Sequence, residues 1–301
     1  MRIASFAPPA IAAMLAVTAL SGPSRADAPA SFSVPFHAGN DRLVLLDADV
    51  DGVHSVRTLL DTGDAAPYAI LIGPALSARV GARPTGARRT SRAEIGSVPV
   101  TFRSVVLRSF GLGAMRLERP TAADSPAVET ASGRGARRFD AVIGGVFLRD
   151  HRVSIDYVRA RVTFDGAVPA TPPLHFVLAP RRPVLVVHVT VNGAGPFGFV
   201  LDTGAAVTIL STSAARRAGL ALGRPAALYG AGGRAPGVRS IAREIRAGRT
   251  HQRAVTLIVA DVLGAASAEA GMPLDGILGA PFFAGGRLTI DYPRRAVWID
   301  R

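Results

Sequence analysis

The sequence predicts an all-β, bilobal protein in which one unit is used twice with a cleft between the copies, and three observations lead there. Asp61-Thr62-Gly63 and Asp202-Thr203-Gly204 close the same kind of apolar run, Thr58-Leu59-Leu60 in one case and Phe199-Val200-Leu201 in the other. The surroundings repeat as well. Residues 44–63 lie on 185–204 without a gap, and residues 140–165 lie on 275–300 with ten identities in 26 positions, among them Asp140/Asp275, Gly144/Gly279, Asp156/Asp291 and Tyr157/Tyr292. A period this long means two domains rather than a solenoid. The third observation is that most of the chain reads as short alternating or wholly apolar runs punctuated by turn residues, the pattern of β-strands.

Taken in order, residues 1–26 read as an export signal: Arg2 at the charged start, an apolar stretch from Ile11 to Leu20, and Ser24-Arg25-Ala26 as a small-x-small cleavage site. The mature chain then begins near Asp27, exported to the periplasm or secreted. No stable membrane insertion is expected after cleavage, since no later stretch reaches the roughly 20 apolar residues a bilayer requires. Residues 27–168 form the first lobe, with strands expected at 43–50, 98–107 and 153–164. Asp51-Gly52 supplies the positive φ of a tight hairpin turn. Short helices are expected at 74–80 and 213–218, each followed by a terminating glycine, Gly81 and Gly219. Residues 119–138, rich in Pro, Ser, Ala and Gly, suggest a mobile surface loop. Pro169, Pro172 and Pro173 mark a connection over 169–183, and residues 184–301 form the second lobe, with strands at 184–191, 254–260 and 288–299 and its own turn at Asn192-Gly193.

Composition narrows the chemistry. The 301 residues contain no cysteine, so thiolate catalysis and disulfide bracing are excluded, and stability must come from buried apolar surface. Net charge is +13, carried entirely by arginine. The arginines are scattered in ones and twos without interleaved aromatics, which reads as a solvated surface rather than a nucleic-acid interface. Asp47-Ala48-Asp49-Val50-Asp51-Gly52 imitates the start of a calcium loop, but its twelfth position is Thr58 instead of a bidentate glutamate. The six histidines are isolated, without zinc-ligand spacing, so no metal and no cofactor are expected.

Leu60-Asp61-Thr62-Gly63 with Val142-Ile143-Gly144, and Leu201-Asp202-Thr203-Gly204 with Ile277-Leu278-Gly279, resemble the aspartic peptidases of the pepsin and retropepsin group. In that family each β-barrel lobe carries an aspartate loop and a later hydrophobic-hydrophobic-Gly strand beside it. Two lobes in one chain look like the pepsin arrangement; Ala205 after the second tripeptide and short, cysteine-free lobes look more like retropepsins. The resemblance implies an aspartic endopeptidase that acts on peptide or protein substrates as a monomer. Asp61 and Asp202 would be the catalytic pair, one carboxylate activating a water and the other donating a proton. Thr62 and Thr203 would hold the loops together, while Gly63 and Gly204 let backbone N–H groups approach the carboxylates. Tyr229, Gly230, Gly232 and Gly233 lie where the family carries a flap; the first lobe has residues 92–98 at the comparable place, with Gly96 its sole glycine, so if a single flap works, as in pepsin-like enzymes, the second lobe is expected to supply it. One departure stands out: Asp64 occupies the position of Ala205, and a third carboxylate there raises the pair's apparent pKa if it points inward. The alternative reading is a catalytically inactive peptide-binding protein that keeps the fold.

Overall fold

The structure, a computed structural model, describes residues 31–301 apart from 40, 93–94, 133–137 and 183. The leader read at residues 1–26 lies outside the described residues. Strands dominate, arranged in three sheets. The N-terminal half contributes a ten-stranded sheet whose inner strands are Val53–Leu60, Ala141–Ile143 and Ile70–Ile72 and whose edges are Arg83–Ser91 and Met115–Glu118. The C-terminal half contributes an eight-stranded sheet in which Ala194–Asp202, Gly276–Gly279 and Thr208–Leu210 take the equivalent inner places. There Leu185–Val191 pairs both with Ala194–Asp202 and with Gly233–Ala247, so the hydrogen bonding runs round a ring.

Local sequence explains these elements. In Val44–Val50, Ala48 and Val50 are buried while Asp47 and Asp49 are exposed, the two-residue alternation of a strand with one wet face. The strand then turns through Asp51 and Gly52 at φ 51° and 86°, and the matching strand turns through Asn192 and Gly193 at 53° and 85°. Positive φ at both central residues gives the backbone twist that matches a hairpin. Helices Pro74–Arg79 and Thr212–Arg217 fall at matching places after the two tripeptides. The expected loop over 119–138 is instead ordered along much of its length: Thr121–Asp124 is a strand parallel to Ile70–Ile72, and Pro126–Ala131 is a helix. Composition misled here because Ser125-Pro126 is a helix start, with the Ser125 hydroxyl accepting from the Ala127 N–H and proline in the first turn, where it costs no hydrogen bond.

The third sheet joins the halves. Arg152–Asp156 pairs antiparallel with Arg287–Asp291 so that Ser154 faces Thr289, their hydroxyls 2.8 Å apart, and the register is symmetric about that pair. Arg152 bonds Asp291 at 3.1 Å and Arg287 bonds Asp156 at 2.9 Å, two ion pairs that exchange places across the symmetry point. Burial pushes the Asp156 carboxyl up, but the hydrogen bonds from Arg287 and Arg159 outweigh it and hold it at about 2. One apolar core runs through both halves and includes Leu46, Leu60, Phe164, Phe199, Leu201 and Ile290. A fully buried phenylalanine such as Phe199 contributes about 2–3 kcal/mol relative to an exposed one.

Candidate active site

Each tripeptide sits at the end of an inner strand clamped on both sides. Val53–Leu60 pairs antiparallel with Val44–Val50 and parallel with Ala141–Ile143, and Ala194–Asp202 pairs antiparallel with Leu185–Val191 and parallel with Gly276–Gly279. Leu60 and Leu201 have no solvent exposure, so the residues that follow them emerge from rigid, apolar strands. Thr62 and Thr203, both buried, face each other across the halves. Thr62 Oγ1 donates to the Leu201 carbonyl (2.8 Å) and accepts from the Thr203 N–H (3.0 Å). Thr203 Oγ1 donates to the Leu60 carbonyl (2.7 Å) and accepts from the Thr62 N–H (3.1 Å). Four reciprocal hydrogen bonds therefore lock loop to loop, and each satisfies a backbone group that burial would otherwise leave orphaned.

This lock brings the aspartates together. Asp61 and Asp202 hydrogen-bond through their side chains. A Cβ added to Gly63 would lie 2.5 Å from the Asp202 carboxyl carbon, and one added to Gly204 would lie 2.5 Å from that of Asp61, so each carboxyl rests on the glycine of the opposite loop. Asp61 Oδ1 accepts from the N–H groups of Gly63 (2.8 Å) and Asp64 (3.1 Å), and Asp202 Oδ1 accepts from Gly204 N–H at 2.7 Å. Burial pushes the Asp61 carboxyl above its ordinary value, and the hydrogen bonds from Asp202, Gly63 and Asp64 pull the other way without cancelling it. Two adjacent carboxyls in such a place share a proton, so the pair holds a base and an acid at once. Among the described residues no three of His, Asp or Glu converge as a metal ligand set.

Asp64 makes contacts of its own. Its Oδ1 accepts from the Ala66 N–H (3.0 Å), and its carboxyl packs against Gly144, where an added Cβ would meet it at 2.3 Å. Its main chain supports the pair, donating to Asp61 and accepting from Gly145 N–H at 2.9 Å, as the Ala205 carbonyl accepts from Ala280 N–H at 2.8 Å.

Two further residues went unassigned by motif reasoning. The hydroxyls of Tyr157 and Tyr292 are buried without a hydrogen-bond partner among the described residues. Burial raises both phenols, aided by the negative field of Asp202 at Tyr157 and of Asp61 at Tyr292, so both stay protonated and uncharged near the pair. Their repetition after Asp156 and Asp291 in the aligned segments is the signal that could have singled them out.

The glycine-rich segment Tyr229 to Gly233 is the tip of a hairpin formed by Pro225–Gly230 and Gly233–Ala247. The first half also has such a hairpin, Arg83–Ser91 with Val100–Val106, which sequence reasoning discounted for its single glycine. The two tips meet: Gly232 N–H donates to the Ile95 carbonyl (3.0 Å) and Val98 N–H donates to the Gly232 carbonyl (3.1 Å). Gly96, at φ 95°, admits this approach, since an added Cβ would lie 1.9 Å from the Gly232 oxygen. Ile95 packs on the apolar cluster of the C-terminal half and Ala231 on that of the N-terminal half. Gly230 lies against Ile95, Gly233 turns at φ 98°, and Tyr229 points to solvent.

Residues 187–282 match the family model described as aspartyl protease, a span that holds Asp202-Thr203-Gly204 and Ile277-Leu278-Gly279. No curated protein matches the chain. The match covers only part of the chain and supports a relationship to aspartic proteases for that span.

Proposed function

We propose that the chain is an aspartic endopeptidase in which both halves, as two duplicated β-barrel lobes, supply one carboxylate to a single site. The observation that carries this reading is the crossed packing of Asp61 on Gly204 and Asp202 on Gly63, held by the threonine lock. A water between the carboxyls loses a proton to the ionised member as it attacks the peptide carbonyl, and the protonated member donates to the developing oxyanion. The proton acquired by the base then passes to the leaving amine as the C–N bond breaks, and a hydroxyl of the tetrahedral intermediate returns its proton to the other carboxylate as the carbonyl reforms, which restores the shared-proton state. The tyrosine hydroxyls keep a neutral environment beneath the pair, and the meeting hairpins exclude bulk water from above. Opening of those tips admits the polypeptide. With the leader removed, the protein acts outside the cytoplasm as a monomer, since one chain already holds both aspartates.

The test is cleavage of a diverse peptide pool across acidic to neutral pH by the wild type, Asp61→Asn and Asp202→Asn. Loss of cleavage in both variants, with the fold retained, is expected. A folded wild type that binds peptides without cleaving any would instead identify a peptide-binding relative, and equal cleavage by the variants would place the chemistry elsewhere.

A further inference from the structure

The arginines that look scattered along the chain are concentrated in the fold. Residues 83–106 and 224–247, the two hairpin segments, each hold five arginines against one glutamate (Glu94 and Glu244), so together they carry +8 of the chain's +13. Eight of these ten arginines are exposed and make no ion pair among the described residues, Arg88, Arg89, Arg92, Arg234, Arg239 and Arg243 among them. The tips join at Gly96 and Gly232, so the two charged hairpins are linked end to end. Their surface is not purely polar: Val98, Tyr229 and Ile241 on the same segments are 61%, 76% and 63% exposed. The outer strand of each hairpin, Arg83–Ser91 and Pro225–Gly230, is also the edge of its sheet, with one side paired to no other strand among the described residues.

We propose that this surface is an exosite for acidic, extended segments of the polypeptide substrate, an inference that rests on the peptidase reading of the aspartate pair. The uncompensated guanidinium groups attract and orient carboxylates, the exposed Tyr229, Val98 and Ile241 cover apolar side chains between them, and the free strand edges pair with peptide backbone. An anionic membrane would satisfy the charge and the apolar groups but has no backbone to pair with the edges, so the edges favour polypeptide.

The experiment measures binding by fluorescence anisotropy, using Asp202→Asn protein to prevent turnover. The probes are a short labelled peptide with an apolar centre flanked by glutamates, its glutamine counterpart and its lysine counterpart. The glutamate peptide is expected to bind roughly tenfold more tightly than the glutamine one, with the lysine peptide weakest, and the gap should close at high salt. Replacing Arg88, Arg89, Arg234 and Arg239 with glutamine should abolish the preference. Replacing four exposed arginines elsewhere, Arg79, Arg161, Arg216 and Arg295, should preserve it at the same net charge. Equal affinity for the three peptides, or equal loss in both sets of variants, overturns the proposal. So does tight binding to phosphatidylglycerol vesicles through the four hairpin arginines without preference for the glutamate peptide, which would mark a membrane surface. Wild-type cleavage run beside the binding separates the two ideas: cleavage without acidic preference sinks the exosite alone, whereas acidic preference without cleavage sinks the peptidase reading alone.

Discussion

Replacing Thr62 with valine removes a hydroxyl of nearly the same shape from the most reciprocal contact in the molecule. The Thr203 N–H, which donates to Thr62 Oγ1 at 3.0 Å, is left buried without its acceptor, and an orphaned buried donor costs about 1–3 kcal/mol. The Leu201 carbonyl loses a second bond of 2.8 Å, which adds about 1 kcal/mol. The expected loss is therefore about 2–4 kcal/mol, a large share of the roughly 5–15 kcal/mol that stabilises an ordinary domain. Thr203→Val should cost the same, because its two bonds, 2.7 and 3.1 Å, mirror those of Thr62. Thr62→Ser, which keeps the hydroxyl, should lose less than about 1 kcal/mol. Urea unfolding followed by intrinsic fluorescence reads all three, with peptide cleavage as a second readout, since the lock also sets the spacing of the carboxyls. A Thr62→Val protein within about 0.5 kcal/mol of wild type would refute the reasoning, because a buried unsatisfied N–H cannot be that cheap.

Other outcomes follow from the same geometry. Gly204→Ala would put a methyl carbon 2.5 Å from the Asp61 carboxyl carbon, and the enforced shift should lower kcat by about 10²-fold or more while circular dichroism stays close to wild type. Asp61 and Asp156 should give stability opposite dependences on pH. Asp61 keeps its proton in the native state above 3.8, where the unfolded chain has ionised, so it costs stability as pH rises through that window; Asp61→Asn should gain more over wild type at about pH 7 than at about pH 3 in denaturant titrations. Asp156, held at about 2, contributes stability that is present above 3.8 and lost as pH falls towards 2, and Arg287→Gln should shrink that acid loss. Gly96→Ala should part the hairpin tips, seen as faster hydrogen exchange at Val98 and Gly232 than in wild type, with unchanged exchange at Leu60 and Leu201 in the inner strands.

Strand periodicity, the Asp-Gly and Asn-Gly turns and the repeated tripeptides were all local enough to read from the chain, because each depends on the dihedral and burial preferences of a few neighbouring residues. The helix at Pro126–Ala131 escaped because its composition resembles a loop, although Ser125 and Pro126 carried the start signal. Asp64 could be recognised as unusual but not placed: only the structure shows its carboxyl packed on Gly144 and bonded by the Ala66 N–H. The first hairpin was underrated for lack of glycines, when a single one, Gly96, suffices if the partner tip brings Gly232 against it. By itself, then, the sequence determined which residues repeat, where several of the core strands run and which two aspartates belong to matching loops. The tertiary structure alone decided that the loops interlock through Thr62 and Thr203, that Tyr157 and Tyr292 come to lie near the carboxyls of the opposite half, and that the two arginine-rich hairpins meet at their tips. These relations join residues 45 or more positions apart, set by how two sheets pack and not by any local preference.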